Sequence, residues 1–197
     1  SEDADFKRDD FNYYDYEDFR GKSLNKILTI DPAISVKKDA DMTGMVATGI
    51  DSFTNIFILD LVRGHFSPRE IIDKIFQLHE QWHFNTIGIE TIAFQKALAY
   101  SLNEEMRSRG RYLPIIEIKS HDTTKDQRIK GLQPLYQAKK VFHRKELKEN
   151  VFLEDELLTF PRGRRDDLID ALSMQQQFWN PPKKRTRGGR YHSSYLY

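Results

Sequence analysis

Acidic residues stand out by their location at three separate positions in this sequence. Asp31 directly follows the apolar run 27–30, and Glu90 ends the run "TIGIE". Three more open the apolar stretch "DDLIDAL": Asp166, Asp167 and Asp170. Carboxylates held close together repel and raise one another's pKa, so a cation must neutralise them. Hard oxygen ligands favour Mg²⁺ or Mn²⁺, and two such ions about 4 Å apart form the arrangement that hydrolyses phosphodiesters in line.

Each acidic position also has a simpler interpretation. An aspartate after a strand is most often a turn former, and acids in the first turn of a helix cap it and complement its dipole. Those explanations suit Asp31, Asp166 and Asp167. They suit Glu90 and Asp170 less well, because both have apolar neighbours, where a bare charge is costly. The joint pattern is stronger than any of its members.

Hydrophobic periodicity predicts the elements that would position these acids. Apolar runs with short connections predict an antiparallel meander of three strands, at 27–30, 45–50 and 55–62. Ser67 and Glu70 form a capping box, with Pro68 at the first helical position, and the helix that they start ends before Asn85. The remaining predicted elements are a strand at "TIGIE", a helix over 93–109, a strand at "LPIIEIKS", a helix over 125–140 weakened by Gly131 and Pro134, a small strand at "VFH", a helix over 146–158 and a last helix at "DDLIDALSMQQQFW".

This order predicts an α/β fold with a mixed sheet, in which the meander is followed by parallel β-α units and helices cover both faces. Strands one and four can lie side by side and parallel, which would place Asp31 beside Glu90. Asp167 and Asp170 lie three residues apart and would share one helix face. The sequence contains no GxxxxGK[ST] loop, so no P-loop ATPase is expected.

Composition excludes several classes of protein. The 197 residues contain no cysteine, which excludes a disulfide framework and a thiolate metal site. No apolar run approaches the roughly 20 residues of a membrane helix, and the start of the chain lacks the order of a secretory signal. The net charge of +1 hides an acidic, aromatic beginning and a basic end. We expect a tail or interdomain remnant over 1–24, one folded domain over 25–180 and a basic, disordered tail over 181–197. The alternatives are that the N-terminal aromatic residues pack onto this domain or a neighbouring one, and that the basic tail contacts nucleic acid phosphates.

Four stretches in order carry a resemblance to a known family: "ILTIDPA…DADMTGM", "TIGIET", "KDQRIKGLQPLYQAKKVFH" and "FPRGRRDDLIDAL". Together they resemble the nuclease domain of the phage terminase large subunit, a member of the ribonuclease H-like superfamily. The resemblance spans roughly residues 26–178. It implies a ribonuclease H-like fold and a metal-dependent nuclease.

The resemblance also implies roles for the acids. Asp31 matches the first metal-bridging aspartate, Glu90 the second carboxylate and Asp167 the third. Asp170 fits the D-x-x-D spacing of the similar Holliday-junction resolvases, and Asp166 remains possible, so the main third ligand stays open. Asp41 matches an acidic loop residue that reaches a metal directly or through water, and Asp39 is the less favoured choice.

The expected activity is two-metal-ion cleavage of concatemeric viral DNA during genome packaging, with Mg²⁺ or Mn²⁺, in the host cell cytoplasm. The implied partners are double-stranded DNA, the terminase ATPase domain, the small terminase subunit and the portal protein. Because the motor's ATPase is missing, we expect an excised nuclease domain or a natural fragment. The alternatives are a Holliday-junction-resolvase-like or transposase-like nuclease, or a catalytically silent DNA or portal docking module.

Basic residues near the acids are candidates for phosphate contacts, which position DNA without reading its sequence. They are Lys119, Lys125, Arg128, Lys130, Arg162, Arg164 and Arg165. The alternative is a solvated basic face. His121 could assist the site, although a single histidine in a loop is usually incidental.

Overall fold

The computed structural model describes residues 5–33, 42–90, 96–119 and 124–183. Within these ranges, seven strands form one mixed sheet at the centre of the protein. They are β1 (Asn12–Tyr14), β2 (Asn25–Asp31), β3 (Thr43–Ile50), β4 (Ile56–Gly64), β5 (Thr86–Glu90), β6 (Ile115–Ile118) and β7 (Val141–Arg144). Their spatial order is β1-β7-β4-β3-β2-β5-β6.

Strand directions confirm the predicted architecture. β2, β3 and β4 pair antiparallel, as expected from their short connections. β5 joins β2 in parallel, β6 joins β5 in parallel, and β7 pairs in parallel with β4 on the other side. Ile30 lies opposite Ile89, so the residues that follow them, Asp31 and Glu90, leave the sheet at the same edge.

Seven helices accompany the sheet in the described residues. They are α1 (Tyr16–Phe19), α2 (Pro68–Trp82), α3 (Lys96–Arg109), α4 (Lys125–Lys130), α5 (Gln133–Gln137), α6 (Asn150–Thr159) and α7 (Asp167–Met174). Short 3₁₀ turns occupy Arg8–Asp10 and Gln175–Phe178. The capping box of α2 forms as predicted, because the Ser67 hydroxyl accepts from the Glu70 amide and the Glu70 carboxylate accepts from the Ser67 amide.

The predicted helix over 125–140 is two helices. α4 ends at Lys130, Gly131 follows it, and Pro134 lies in the first turn of α5. Proline has no amide hydrogen to donate and clashes with the preceding turn, so it begins a new helix more easily than it continues an old one. The predicted last helix is α-helical only to Met174 and then tightens into the 3₁₀ turn.

Two hydrophobic clusters lie on the two faces of the sheet. Successive strand residues point to opposite faces, and accordingly Leu28 belongs to the cluster under α2 and α3, whereas Ile27 belongs to the cluster under α4 to α7. Helices therefore cover both faces, as predicted. No helix in the described part of the chain is both long and apolar enough to cross a membrane.

The N-terminal segment joins the fold. Phe6 and Phe11 are buried in one hydrophobic cluster and Phe19 in the other, and β1 pairs in parallel with β7. The Tyr14 hydroxyl donates a hydrogen bond of 2.7 Å to the carbonyl of Ile58. Residues 5–24, for which a tail or interdomain remnant was expected, therefore pack onto the domain, which was the alternative expectation for the N-terminal aromatic residues. At the other end, residues 184–197 of the expected basic tail lie outside the described residues.

Candidate active site

Two neighbouring parallel strands deliver the first two carboxylates. Asp31 is the last residue of β2, and Glu90 is the last residue of β5. Their side chains are close enough to share a hydrogen bond. The residues directly before each acid, 27–30 in β2 and 87–89 in β5, are buried, so the core holds the backbone that carries each carboxylate.

Helix α7 brings the third carboxylate by packing closely onto β2 and β3. The Thr29 hydroxyl donates to the carbonyl of Ala171 over 2.6 Å. Gly44, which pairs with Asp31 across the meander, lies directly under the start of the helix. A Cβ atom at Gly44 would lie 2.3 Å from the carbonyl oxygen of Asp167, so only glycine allows this approach.

Asp170 is the acid of α7 that faces Asp31 and Glu90. The residue is only 3% exposed, and its carboxylate binds the guanidinium of Arg128 and lies 3.1 Å from the ammonium of Lys125. The same Arg128 guanidinium lies 3.9 Å from Glu90 Oε1. One arginine thus contacts acids from both the sheet and the helix.

The pKa of the Asp31 carboxyl is raised to about 8, first by burial and then by the charges of Asp170 and Glu90. Lys125 acts in the opposite direction but does not compensate fully. The pKa of Lys125 is itself raised, although burial opposes its charge, because Asp170 and Asp166 outweigh that burial. The cluster therefore contains more carboxyl groups, Asp31, Glu90 and Asp170, than cations, Lys125 and Arg128.

The other two acids of this segment have different partners. Asp166 lies 2.8 Å from the Lys125 ammonium, and so borders the cluster through that lysine. Asp167 is buried, and its carboxylate binds Arg63 Nε at 3.2 Å and accepts a hydrogen bond of 3.2 Å from the amide of Met42. Asp167 and Asp170 lie about one turn apart, yet their carboxylates have separate partners.

The structure thus brings Asp31, Glu90 and Asp170 together and directs Asp167 towards Arg63. The predicted candidates Asp39, Asp41 and His121 lie outside the described residues. Among the basic candidates, Lys125 and Arg128 contact the acids directly. The others lie on the surface or near it: Lys119, Lys130, Arg162 and Arg164 are exposed, and Arg165 is half-buried.

Two residues that were not predicted from the sequence support this region. Glu156 of α6 is buried, and its Oε2 accepts hydrogen bonds from the amides of Leu168 at 2.8 Å and Ile169 at 3.0 Å. Its other oxygen lies 3.6 Å from Arg63 Nε, and the Arg63 guanidinium covers the ring of Phe152 at 5.1 Å. Burial raises the pKa of Glu156 to about 7 against the opposing effect of its hydrogen bonds and of Arg63.

Sequence signals existed for both of these residues. Arg63 follows the apolar run of β4, and Glu156 lies between apolar residues in "FLEDELL". A charge in such surroundings needs a partner, which is the argument that selected Glu90 and Asp170.

The donor atoms of the cluster suit a hard divalent cation. Asp31, Glu90 and Asp170 offer only carboxylate oxygens, the ligands of Mg²⁺, Mn²⁺ and Ca²⁺. Across the described residues, no three acidic or histidine side chains converge on one point closely enough to hold a metal ion. Lys125 and Arg128 lie among the acids, and the raised pKa of Asp31 shows that further positive charge would stabilise its ionised form.

Comparison with protein-family models gave no match, and neither did comparison with curated protein sequences. Comparison with solved structures did. The large terminase nuclease from thermophilic phage G20c, solved with bound zinc, matches 84% of this chain and 92% of its own, with a TM-score of 0.57 and 17% identity. A mutant nuclease domain of the large terminase subunit gp2 of bacterial virus Sf6, solved with manganese, matches 87% of this chain and 97% of its own, with a TM-score of 0.61 and 13% identity.

The HK97 bacteriophage large terminase matches 87% of this chain with a TM-score of 0.56 and 11% identity. This chain covers 42% of that protein, which is less than half of its length. The sheet order, the strand directions and these matches define an α/β protein with a ribonuclease H-like fold. More narrowly, the chain has the fold of the nuclease domains of phage large terminases.

Proposed function

We propose that this protein is a divalent-metal-dependent endodeoxyribonuclease of the large terminase nuclease type. The observation that carries the proposal is that Asp31, Glu90 and Asp170, from two strands and one helix, lie around the same two cations, Lys125 and Arg128, at one edge of the sheet. Carboxylates built on strand ends suit precise metal geometry, because rigid elements hold them better than loops do.

Metal binding is supported by the donor set and by the structural neighbours. The G20c nuclease was solved with zinc and the Sf6 mutant domain with manganese, and another structure of the Sf6 domain was solved with calcium. Asp31, Glu90 and Asp170 would hold the ions, with Mg²⁺ or Mn²⁺ preferred, and Asp166 shares Lys125 with Asp170. When bound, two such ions activate the attacking water and neutralise charge at the leaving oxygen.

The protein's own residues would position the carboxylates and the DNA. β2 and β5 fix the two strand carboxylates, and α7 adds the third from the side. Lys125 and Arg128 place positive charge beside the acids, which lowers the repulsion felt by an approaching phosphate. The exposed Lys119, Lys130, Arg162 and Arg164, with Arg165, would contact phosphates and position duplex DNA without reading its bases.

The biological setting that we propose is cleavage of concatemeric viral DNA during genome packaging in the host cell cytoplasm. Its partners would be duplex DNA, a terminase ATPase domain, a small terminase subunit and a portal protein. The likeness in fold to phage terminases supports this setting. The described residues include no ATPase, so DNA translocation is not part of the proposal.

The test is cleavage of supercoiled plasmid by the purified chain in Mg²⁺, in Mn²⁺ and in EDTA. We expect metal-dependent nicking and linearisation that is lost in Asp31→Asn and in Asp170→Asn. Asp126→Asn is the matched control, because Asp126 is an exposed residue of α4 beside the site. Asp167→Asn should retain more activity than Asp170→Asn, because its carboxylate faces Arg63.

Three results would contradict the proposal. Cleavage that persists in Asp31→Asn would show that this carboxylate cluster is not the catalytic site. Preference for four-way junctions over linear duplex would favour a resolvase-like nuclease. A folded protein that neither cleaves DNA nor binds Mn²⁺ in calorimetry would be a docking module.

A further inference from the structure

The first turn of α7 is not capped by the side chain of Asp166, the residue at its own N-cap position. The first amides of a helix have no partner within the helix and need an acceptor. Asp166 stands at the capping position and is of a preferred type, but its side chain accepts no capping hydrogen bond. Its carboxylate binds Lys125 instead. The amides of Leu168 and Ile169 must therefore find an acceptor elsewhere.

Glu156 of α6 provides that acceptor. One of its carboxylate oxygens accepts from both amides, at 2.8 Å and 3.0 Å, and the side chain is only 1% exposed. A buried carboxylate is costly unless it is hydrogen-bonded and paired. Arg63 lies 3.6 Å from its second oxygen and binds Asp167 as well. The cap of α7 is thus supplied by another helix, and Asp166 is left available to Lys125.

We propose that Glu156 is a positioning residue that sets the place of Asp170 in the carboxylate cluster. This inference rests on the proposed nuclease function. The amide of Asp170 donates to the carbonyl of Asp166 over 2.8 Å, which closes the same first turn. α7 is eight residues long, so a shift of its first turn moves the Asp170 carboxylate relative to Asp31 and Glu90.

The alternative role for Glu156 is structural, with a negative charge that merely neutralises Arg63. Two substitutions separate these roles. Glu156→Gln keeps the length of the side chain and an acceptor oxygen but removes the charge. Glu156→Asp keeps the charge but withdraws the oxygens by one methylene. Positioning through the two amides requires reach, whereas neutralisation of Arg63 requires charge.

The experiment measures kcat and KM for metal-dependent plasmid cleavage, with folding checked by circular dichroism. Displacement of a reacting group by about 1 Å can cost about 100-fold in rate. We therefore expect kcat of Glu156→Asp to fall by about that factor with KM for DNA nearly unchanged. Glu156→Gln should stay within a few fold of wild type. Asp155→Asn, an exposed neighbour on α6, should match wild type.

Amide hydrogen exchange at Leu168, Ile169 and Asp170 gives a readout that needs no activity. We expect faster exchange in Glu156→Asp and near-wild-type exchange in Glu156→Gln. A folded Glu156→Asp with wild-type kcat, or a Glu156→Gln as impaired as Glu156→Asp, would overturn the inference. If wild type itself does not cleave DNA, the proposed function fails, and unchanged exchange in Glu156→Asp would then overturn the capping role separately.

Discussion

Replacement of Asp31 by Asn should stabilise the metal-free protein, and the gain should grow with pH. In the folded protein the pKa of Asp31 is raised to about 8 by burial and by the charges of Asp170 and Glu90, against an ordinary value of 3.8. Between these two values the folded state keeps a proton that the unfolded chain has lost. Stability due to this group therefore falls as the pH rises through that window. Asparagine has no charge, so the variant does not lose this stability as the pH rises.

The magnitude follows from the same pKa difference. Each pKa unit is worth about 1.4 kcal/mol, so the whole interval would be worth on the order of 6 kcal/mol at pH 8. Asp31 is only partly buried and shares its titration with Asp170 and Glu90, which reduces the effect. We expect a gain of about 2 kcal/mol in the free energy of unfolding at pH 8, which raises Tm by roughly 4–8 °C for a protein of this size.

The assay is thermal unfolding in EDTA, followed by calorimetry or circular dichroism across about pH 5 to pH 8, which lies within the window between the two pKa values. Asp126→Asn serves as the control, since it removes an exposed carboxylate from α4. With Mg²⁺ the order should reverse, because an ion that binds only the folded wild type stabilises it. A difference in Tm that does not change with pH, or an Asp31→Asn protein less stable than wild type in EDTA, would refute the reasoning.

Two further predictions concern the support of α7 and the basic surface. Gly44→Ala should lower the free energy of unfolding by about 2 kcal/mol, because its Cβ would clash with the backbone of Asp167. Gly49→Ala should cost less, because its Cβ meets the movable side chain of Leu24. Urea unfolding measures both losses, and equal losses would contradict this prediction. Arg162→Ala and Arg164→Ala should each weaken duplex binding alike across sequences and lower the salt slope by about 1, measured by fluorescence anisotropy. An unchanged slope would place both arginines away from the DNA.

The sequence predicted the framework well, because that framework depends on local signals. Short connections define the meander, and Ser67 with Glu70 defines the start of α2. The meeting of Asp31 and Glu90 follows from parallel neighbouring strands, in which equivalent ends lie side by side. Each of these inferences needs only the order of elements and their periodicity.

Features that depend on distant partners could not be read in this way. The different partners of the Asp166, Asp167 and Asp170 carboxylates depend on Lys125 and Arg63, which lie far away in the chain. A spacing of three residues predicts a shared helix face but not the rotation of each carboxylate. The burial of the N-terminal aromatic residues is a similar case, because the surfaces that receive them are built from β4, β7 and the helices α5 and α6.

The pairing of β1 with β7 also has a mechanical consequence. A pull on the chain ahead of β1, directed along the strand, loads the hydrogen bonds of this parallel ladder together in shear. Phe6 and Phe11 must leave the core before that load reaches the ladder. β1 is an edge strand, and β7, β4 and β3 separate it from β2. Tension that enters at the N-terminal segment is therefore borne by one edge of the sheet, while Asp31 and Glu90 keep their register on the strands beyond.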